Sequence, residues 1–311
     1  MKEIKPTFNF YDQTYFKSYN LDKEIQYQLN LLDSLDIFTR KHSENVATIT
    51  CNLCKKLHLT KGFTEYCTIC AYLHDIGKLF IPSSILQKPG KLTDEEFEIM
   101  KTHTTLGYKL CIKDRKLRPY YTGPYYHHEA LDGTGYPQGL VKKDIPYEAQ
   151  IIRVADEYDA LVSKRQYKSH IGITDALKII IENAQPSPNA PLNTGYTNAG
   201  KNNKKIVKKL LKVVIDDIEY EIICTIDYVK FLKEEISRCE EIKKYSEKIK
   251  TLTKQSDIES CQKYVNMLLK QGESIENIDE LRNEFEKAYS LRNGMLNGLR
   301  QEIKNIKKLK V

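Results

Sequence analysis

Leu73-His74-Asp75-Ile76-Gly77-Lys78 is the stretch on which the reading of this chain turns. Neighbours on a helix point about 100° apart, so His74 and Asp75 cannot share one helix face. Both can reach one point only where a helix ends against other polar groups. A dinuclear metal centre would supply that reason, with imidazole nitrogen for one ion and carboxylate oxygens bridging two. Alone, such a pair is more often a satisfied core histidine beside a solvated acid. The reading depends on what else the chain sends to the same place.

Working outward, the pattern on the N-terminal side is helical over 23–59, with Ile25, Leu29, Leu32 and Leu35 followed by Val46, Ile49, Leu53 and Leu57. His42 falls in the middle of it. A second helix over 61–75 ends in the His-Asp pair. On the C-terminal side, Ile81-Pro82 and Lys88-Pro89-Gly90 mark a turn-rich connection. Thr93 with Glu96 then spells a capping box, and Phe97, Met100, His103, Thr104 and Gly107 are expected to line one face. Tyr126-His127-His128-Glu129 leads into Asp132-Gly133-Thr134-Gly135-Tyr136-Pro137. A helix over 146–163 puts Ile152, Ala155, Asp156 and Asp159 on one side.

Five of the seven histidines, His42, His74, His103, His127 and His128, thus sit with Asp75 and Asp156 near apolar stripes. One buried histidine needs no explanation, but five with two acids would leave several polar groups unpaired in a core. Metal ions satisfy them. A nitrogen and oxygen set without thiolate favours iron or manganese, with zinc or nickel as alternatives. Seven ligands exceed the needs of one ion; two, roughly 3.5–4 Å apart and bridged by Asp75 and a hydroxide, use them all. Cys51, Cys54, Cys67 and Cys70 have zinc-ribbon spacing, but they lie on helical apolar patterns and read as small packing residues.

The ordered blocks His74-Asp75-Ile-Gly-Lys78, Ile81-Pro82, Lys88-Pro89-Gly90, His103, His127-His128-Glu129, Gly135-Tyr136-Pro137, Val154-Ala155-Asp156 and Arg165-x-Tyr167-Lys168 resemble the HD-GYP family of phosphodiesterases. The resemblance covers about 25–182. It implies an all-α, HD-type helical phosphohydrolase that hydrolyses cyclic di-GMP to the linear dinucleotide pGpG or on to GMP. It further implies that His42, His74, Asp75 and Asp156 hold one metal, and that Asp75 bridges to a second completed by His103, His127 and His128. Lys78 would contact the scissile phosphate, and Tyr136, Arg165 and Lys168 would hold the ligand's phosphates and bases. Asp159 would orient a ligand or the substrate. Phe38 stands where some members place a metal-binding glutamate, so two metals are expected rather than three. Ala130 and Gln150 replace arginines common in the family. The alternatives are another cyclic dinucleotide such as cyclic GMP-AMP, another phosphate ester, or a sensor that binds without turnover.

The rest of the chain bounds this reading. A length of 311 residues allows one or two domains, and 41% hydrophobic with 29% charged residues is ordinary for a globular chain. The net charge of +7 is mostly lysine and suits a solvated surface or an anionic small ligand, with no DNA partner called for. No apolar run approaches the roughly 20 residues of a membrane span, and the start lacks a signal peptide, so a cytoplasmic location with reduced cysteines is expected. The expected organisation is an N-terminal arm over 1–24, the phosphohydrolase domain over 25–220, and a C-terminal helical bundle or hairpin over 221–311. A helix over 204–215 would close the domain. The Pro-, Asn- and Gly-rich stretch 185–203 reads as a loop acting as a lid. Its Gly195 to Lys201 run is no P-loop, since Asn202 stands where Ser or Thr is needed. The C-terminal helices, with stripes such as Val229, Leu232, Ile236 and Cys239, are expected to pair two protomers as a homodimer.

Overall fold

A computed structural model describes residues 37–163, 171–186 and 199–311. It is all-α: among the described residues there is no strand, only one isolated bridge between Asp132 and Val141. The chain divides into one unit of 1–217 with 305–311, and a second of 218–304.

In the first unit, α1 (Ile37–Lys56) and α2 (Lys61–Leu73) pack together, and their residues Val46, Leu53, Cys54, Cys67, Cys70 and Ala71 are nearly or wholly buried. The Thr60 hydroxyl caps α2 by accepting from the Phe63 amide at 3.3 Å. α2 stops at Leu73, and a 3₁₀ turn over Ile76–Phe80 begins one residue past Asp75. The short α3 (Ser83–Leu86) follows, then α4 (Asp94–Lys101), which opens on the expected Thr93/Glu96 capping box. α5 (His103–Lys113) lies against the 3₁₀ turn, and α6 (Thr122–Tyr126) leads to His127. α7 (Tyr147–Val162) packs on α1 and on α8 (Ile173–Asn183).

The single face expected from Phe97 to Gly107 is broken. Thr102 separates α4 from α5, so that His103, Thr104 and Gly107 are buried while Phe97 is 44% exposed. The zinc-ribbon alternative has no support: none of the metal-capable groups among the described residues contains a cysteine.

The helix expected over 204–215 is part of α9 (Lys204–Ile249), 46 residues without interruption. The reason is legible: no glycine or proline occurs between Lys204 and Ile249 to end it. In the second unit, α9 with α10 (Gln255–Leu268) and α11 (Ile278–Ile306) buries Cys239, Ile242, Val265 and Ile278. Glu235, rather than Ile236, is the fully inward position there. It stays ionised because Arg238 and Lys270 reach it at 2.9 and 2.7 Å, and Arg238 also binds Glu273. Among the described residues, no helix is long and apolar enough to cross a membrane.

One strained acid lies outside the site. Burial and the neighbouring Asp216 push the Asp217 carboxyl up to about 7, Lys56 giving partial relief while ion-pairing with Asp216. A folded pKa above the unfolded one means that the folded state holds its proton longer. Stability therefore falls as pH rises from about 4 to about 7 and stays reduced above that. Asp217→Asn is expected to raise the melting temperature by a few degrees at pH 8, and by almost nothing at pH 4. Thermal melts at both pH values check it; an equal gain at both would point to another cause.

Candidate metal centre

The question posed by adjacent His74 and Asp75 is answered by the helix end between them. His74 caps α2 and still holds helical angles, φ −52° and ψ −36°, whereas Asp75 sits at φ −98° and ψ 6°. That bridge conformation takes the chain out of the α-helical spiral at Asp75. Both side chains then face inward, His74 wholly buried and Asp75 1% exposed.

Around them the structure gathers three overlapping triads whose ligand atoms lie within 4.8 Å of one another: His42, His74 and Asp75; His74, His127 and Asp156; and His103, His127 and His128. Every residue the sequence reading assigned to metal is in one of them. His42 comes from the middle of α1, His103 from the first turn of α5, His127 and His128 from the end of α6, and Asp156 from α7. Asp75 stands between the groups. Its Oδ2 faces His74 Nε2 at 3.3 Å and His42 Nε2 at 3.7 Å, while Oδ1 faces His103 Nε2 at 3.5 Å.

The protonation states follow from the outer partners. His74, His103 and His127 place Nδ1 against the carbonyls of Ala71, Met100 and Gly123, at 2.6, 2.7 and 2.9 Å. A carbonyl can only accept, so each Nδ1 carries a hydrogen, and in the neutral ring Nε2 then presents a lone pair inward. The Nε2 atoms of His103 and His127 are 3.2 Å apart, two lone pairs face to face. His74 Nε2 is buried with no hydrogen-bond partner. Protonation is a poor remedy, since burial drives His103 down to about 4 and His127 and His128 well below the ordinary imidazole value. A divalent cation satisfies such atoms, so the donor set fits one.

The acids complement this. Burial alone would raise Asp75, but Lys78, paired with its Oδ2 at 2.5 Å, and the histidines hold it well below the usual carboxylate range. Asp156 is held down likewise by His42, whose Nε2 is 3.0 Å from its Oδ1. For His42, burial is outweighed by hydrogen bonds to Asp156 and Asp159, and the imidazole is raised to about 9.

Asp159 sits behind His42. Its Oδ2 is 2.7 Å from His42 Nδ1, its Oδ1 accepts from Asn45 and Ser163, and it is 3% exposed. Both of its oxygens are thus engaged by groups of the chain itself, His42 among them. Tyr136 stacks on the His128 ring at 4.6 Å. Arg165 and Lys168 lie outside the described residues, as do the arm over 1–24, residues 187–198 of the loop and the side chain of Phe38.

Sequence reasoning gave no role to Glu129 or Arg153. Glu129 is 1% exposed and accepts the Gln138 and Leu140 amides at 2.7 and 2.8 Å, so the loop after His128 is wrapped around it. A Cβ on Gly135 would meet the Ala130 nitrogen at 2.3 Å, which explains glycine there. Arg153 donates to the His128 carbonyl at 3.2 Å and to Asn202 Oδ1 at 3.0 Å. Gln150 donates to the Ile145 carbonyl at 3.0 Å and accepts from Asn203 at 2.9 Å, and Ala130 is buried.

Known proteins are similar to part of this chain. The family model described as HD domain matches residues 26–187. A cyclic di-GMP phosphodiesterase of Thermotoga maritima is 40% identical over 155 residues, 49% of this chain and 42% of that one. The cyclic di-GMP phosphodiesterase response regulator RpfG of Xanthomonas campestris is 42% identical over 127 residues, 40% of this chain and 34% of the relative. The 3'3'-cGAMP-specific phosphodiesterase 3 of Vibrio cholerae is 35% identical over 153 residues, 49% of this chain and 33% of the relative. The chain spans less than half the length of each of these relatives.

Proposed function

Because this chain belongs to the HD domain family, we propose that it is a metal-dependent phosphodiesterase hydrolysing cyclic di-GMP to pGpG or on to GMP. The observation that carries the reading is the two-sided Asp75 carboxylate, one oxygen toward His42 and His74 and the other toward His103. His42, His74, Asp75 and Asp156 would hold one divalent cation; Asp75, His103, His127 and His128 would hold the second. Iron or manganese suits this nitrogen and oxygen set, with zinc and nickel as alternatives. Bound there, the cations supply Lewis-acid charge and a water acidified for attack on phosphorus.

The chain's own residues do the rest. The backbone carbonyls behind His74, His103 and His127 fix the tautomers, so no reorganisation is needed when a cation arrives. Lys78 supplies a positive charge beside Asp75, where it would neutralise the charge gathering on the phosphate oxygens. Tyr136, Arg165 and Lys168 would hold the ligand's phosphates and bases. Cyclic GMP-AMP is the second reading, favoured by the cGAMP-specific relative. The C-terminal helices of 221–311 would pair protomers, and the stretch 185–203 would serve as a lid.

The test is hydrolysis of labelled cyclic di-GMP and cyclic GMP-AMP by metal-loaded protein. Products from the first at the higher kcat/KM support the reading. Products from the second alone transfer it to cyclic GMP-AMP, and tight binding without products makes the chain a sensor. Metal removal has a separate signature. A cation bound to the folded state at a hundred times its Kd adds about 2.7 kcal/mol. Chelation is therefore expected to lower the melting temperature by several degrees, with recovery on adding manganese.

A further inference from the structure

Phe97 is an aromatic to which neither the core nor the metal centre gives a use. α4 buries none of its residues, and the break at Thr102 turns Phe97 outward, 44% exposed. It is nevertheless placed. Its ring meets Tyr136 edge-on, with centroids 6.5 Å apart and planes at 81°, and Tyr136 in turn stacks on His128. Lys101, one turn further along α4 and two residues before His103, brings its Nζ to 4.9 Å from the Phe97 centroid and 5.6 Å from that of Tyr136. Its ion pair with Glu98 joins it to a carboxylate whose side chain is 70% exposed, a pairing too weak to hold the ammonium against a ligand. A line of rings thus runs from His103 and His128 through Tyr136 to a half-open phenyl face with a cation beside it.

We propose that Phe97 and Lys101 form a base-binding subsite that takes a guanine of the cyclic dinucleotide, a step that rests on the function proposed above. An exposed aromatic face stacks any base. Lys101 sets the preference: its ammonium has donors only, and guanine turns two acceptors, O6 and N7, to such a group, whereas adenine presents N7 beside a donor amino group. With the phosphodiester over the histidine cluster, one base then lies outside Tyr136, against the exposed side of the Phe97 ring with its acceptor edge turned to Lys101.

The test uses the metal-loaded full chain with three phosphodiesters: cyclic di-GMP, cyclic di-AMP, and methyl p-nitrophenyl phosphate, which has no base. Phe97→Ala is expected to raise KM for cyclic di-GMP about tenfold, with a much smaller change in kcat and the metal content of the parent. The ratio of kcat/KM for cyclic di-GMP to that for the baseless ester falls with it, and Phe97→Tyr restores the ratio. Lys101→Met is expected to lower the preference for cyclic di-GMP over cyclic di-AMP. An unchanged KM in Phe97→Ala, in a parent that does hydrolyse cyclic di-GMP, overturns the subsite alone. So does an equal loss on all three esters, which would make Phe97 a support for the Tyr136 loop. A parent that cleaves the baseless ester and no cyclic dinucleotide overturns the subsite together with the function on which it rests.

Discussion

Asp75→Ala is expected to reduce cyclic di-GMP hydrolysis roughly a thousandfold or more, and to bring the metal content of the purified protein well below that of the parent. Asp75 turns its two oxygens to different histidine groups, at 3.3 Å and 3.7 Å on one side and 3.5 Å on the other. Its nearest rival is Asp156, which shares a triad with His74 and His127. Asp156 turns one oxygen, Oδ1, to His42 and His74 at 3.0 and 3.9 Å, and belongs to no triad with His103 or His128. The variant also strips Lys78 of its partner, leaving a half-buried ammonium beside several imidazoles. Asp75→Asn separates the two effects, since it keeps the shape while losing the charge. It should fold at least as well as the alanine variant and be nearly as inactive. Elemental analysis and rate measurement on the same preparations check this. Turnover close to that of the parent in either variant would end the metal-centred reading.

The convergence of the five histidines with Asp75 and Asp156 was legible because these residue types repeat along apolar stripes. The same stripes gave α1, α2, α5 and α7 their buried faces. Three other features were not legible, each for a physical reason. Thr102 looks like any helical residue, and what ends α4 there is the burial of His103 against its neighbours, a tertiary demand absent from local pattern. Asp159 reads as one turn after Asp156 on the same face, but whether it meets substrate or His42 depends on where α1 crosses α7. Glu129 was visible as the third letter of a motif. Its use as the hub of a loop lies in two backbone amides, which have no side-chain signature in a sequence. The unbroken α9 could have been read from its lack of glycine and proline, had the absence of a stop been weighed as heavily as the change in composition.

Gly77→Ala carries the largest expected effect on the fold of the first unit, and it tests how the centre is held in register. A Cβ on Gly77 would lie 1.9 Å from the His103 carbonyl oxygen and 2.6 Å from the Gly107 nitrogen. Those are backbone atoms at the start of α5, which cannot rotate aside as a side-chain tip can. Gly107 answers from the other side, its own missing Cβ lying 3.3 Å from the Gly77 nitrogen. The 3₁₀ turn that begins after Asp75 and the helix that begins with His103 thus meet with no side chain between them. That close approach sets Asp75 Oδ1 3.5 Å from His103 Nε2. Inserting a methyl into packed structure ordinarily costs about 1–3 kcal/mol, and here the backbone itself must part, so about 3 kcal/mol or more is expected. Gly62→Ala is the matching control: it lies exposed in α2 with nothing within 4 Å of its added Cβ. It should be neutral or stabilising by up to about 1 kcal/mol, through helix propensity. If Gly77→Ala still folds, the added separation acts on the centre, and metal uptake should fall even at temperatures where the fold is intact. Denaturant melts with and without manganese distinguish the two losses. Gly77→Ala that matched Gly62→Ala in both would mean that the crossing of the turn and α5 has slack enough for a methyl, and that something else fixes the distance across Asp75.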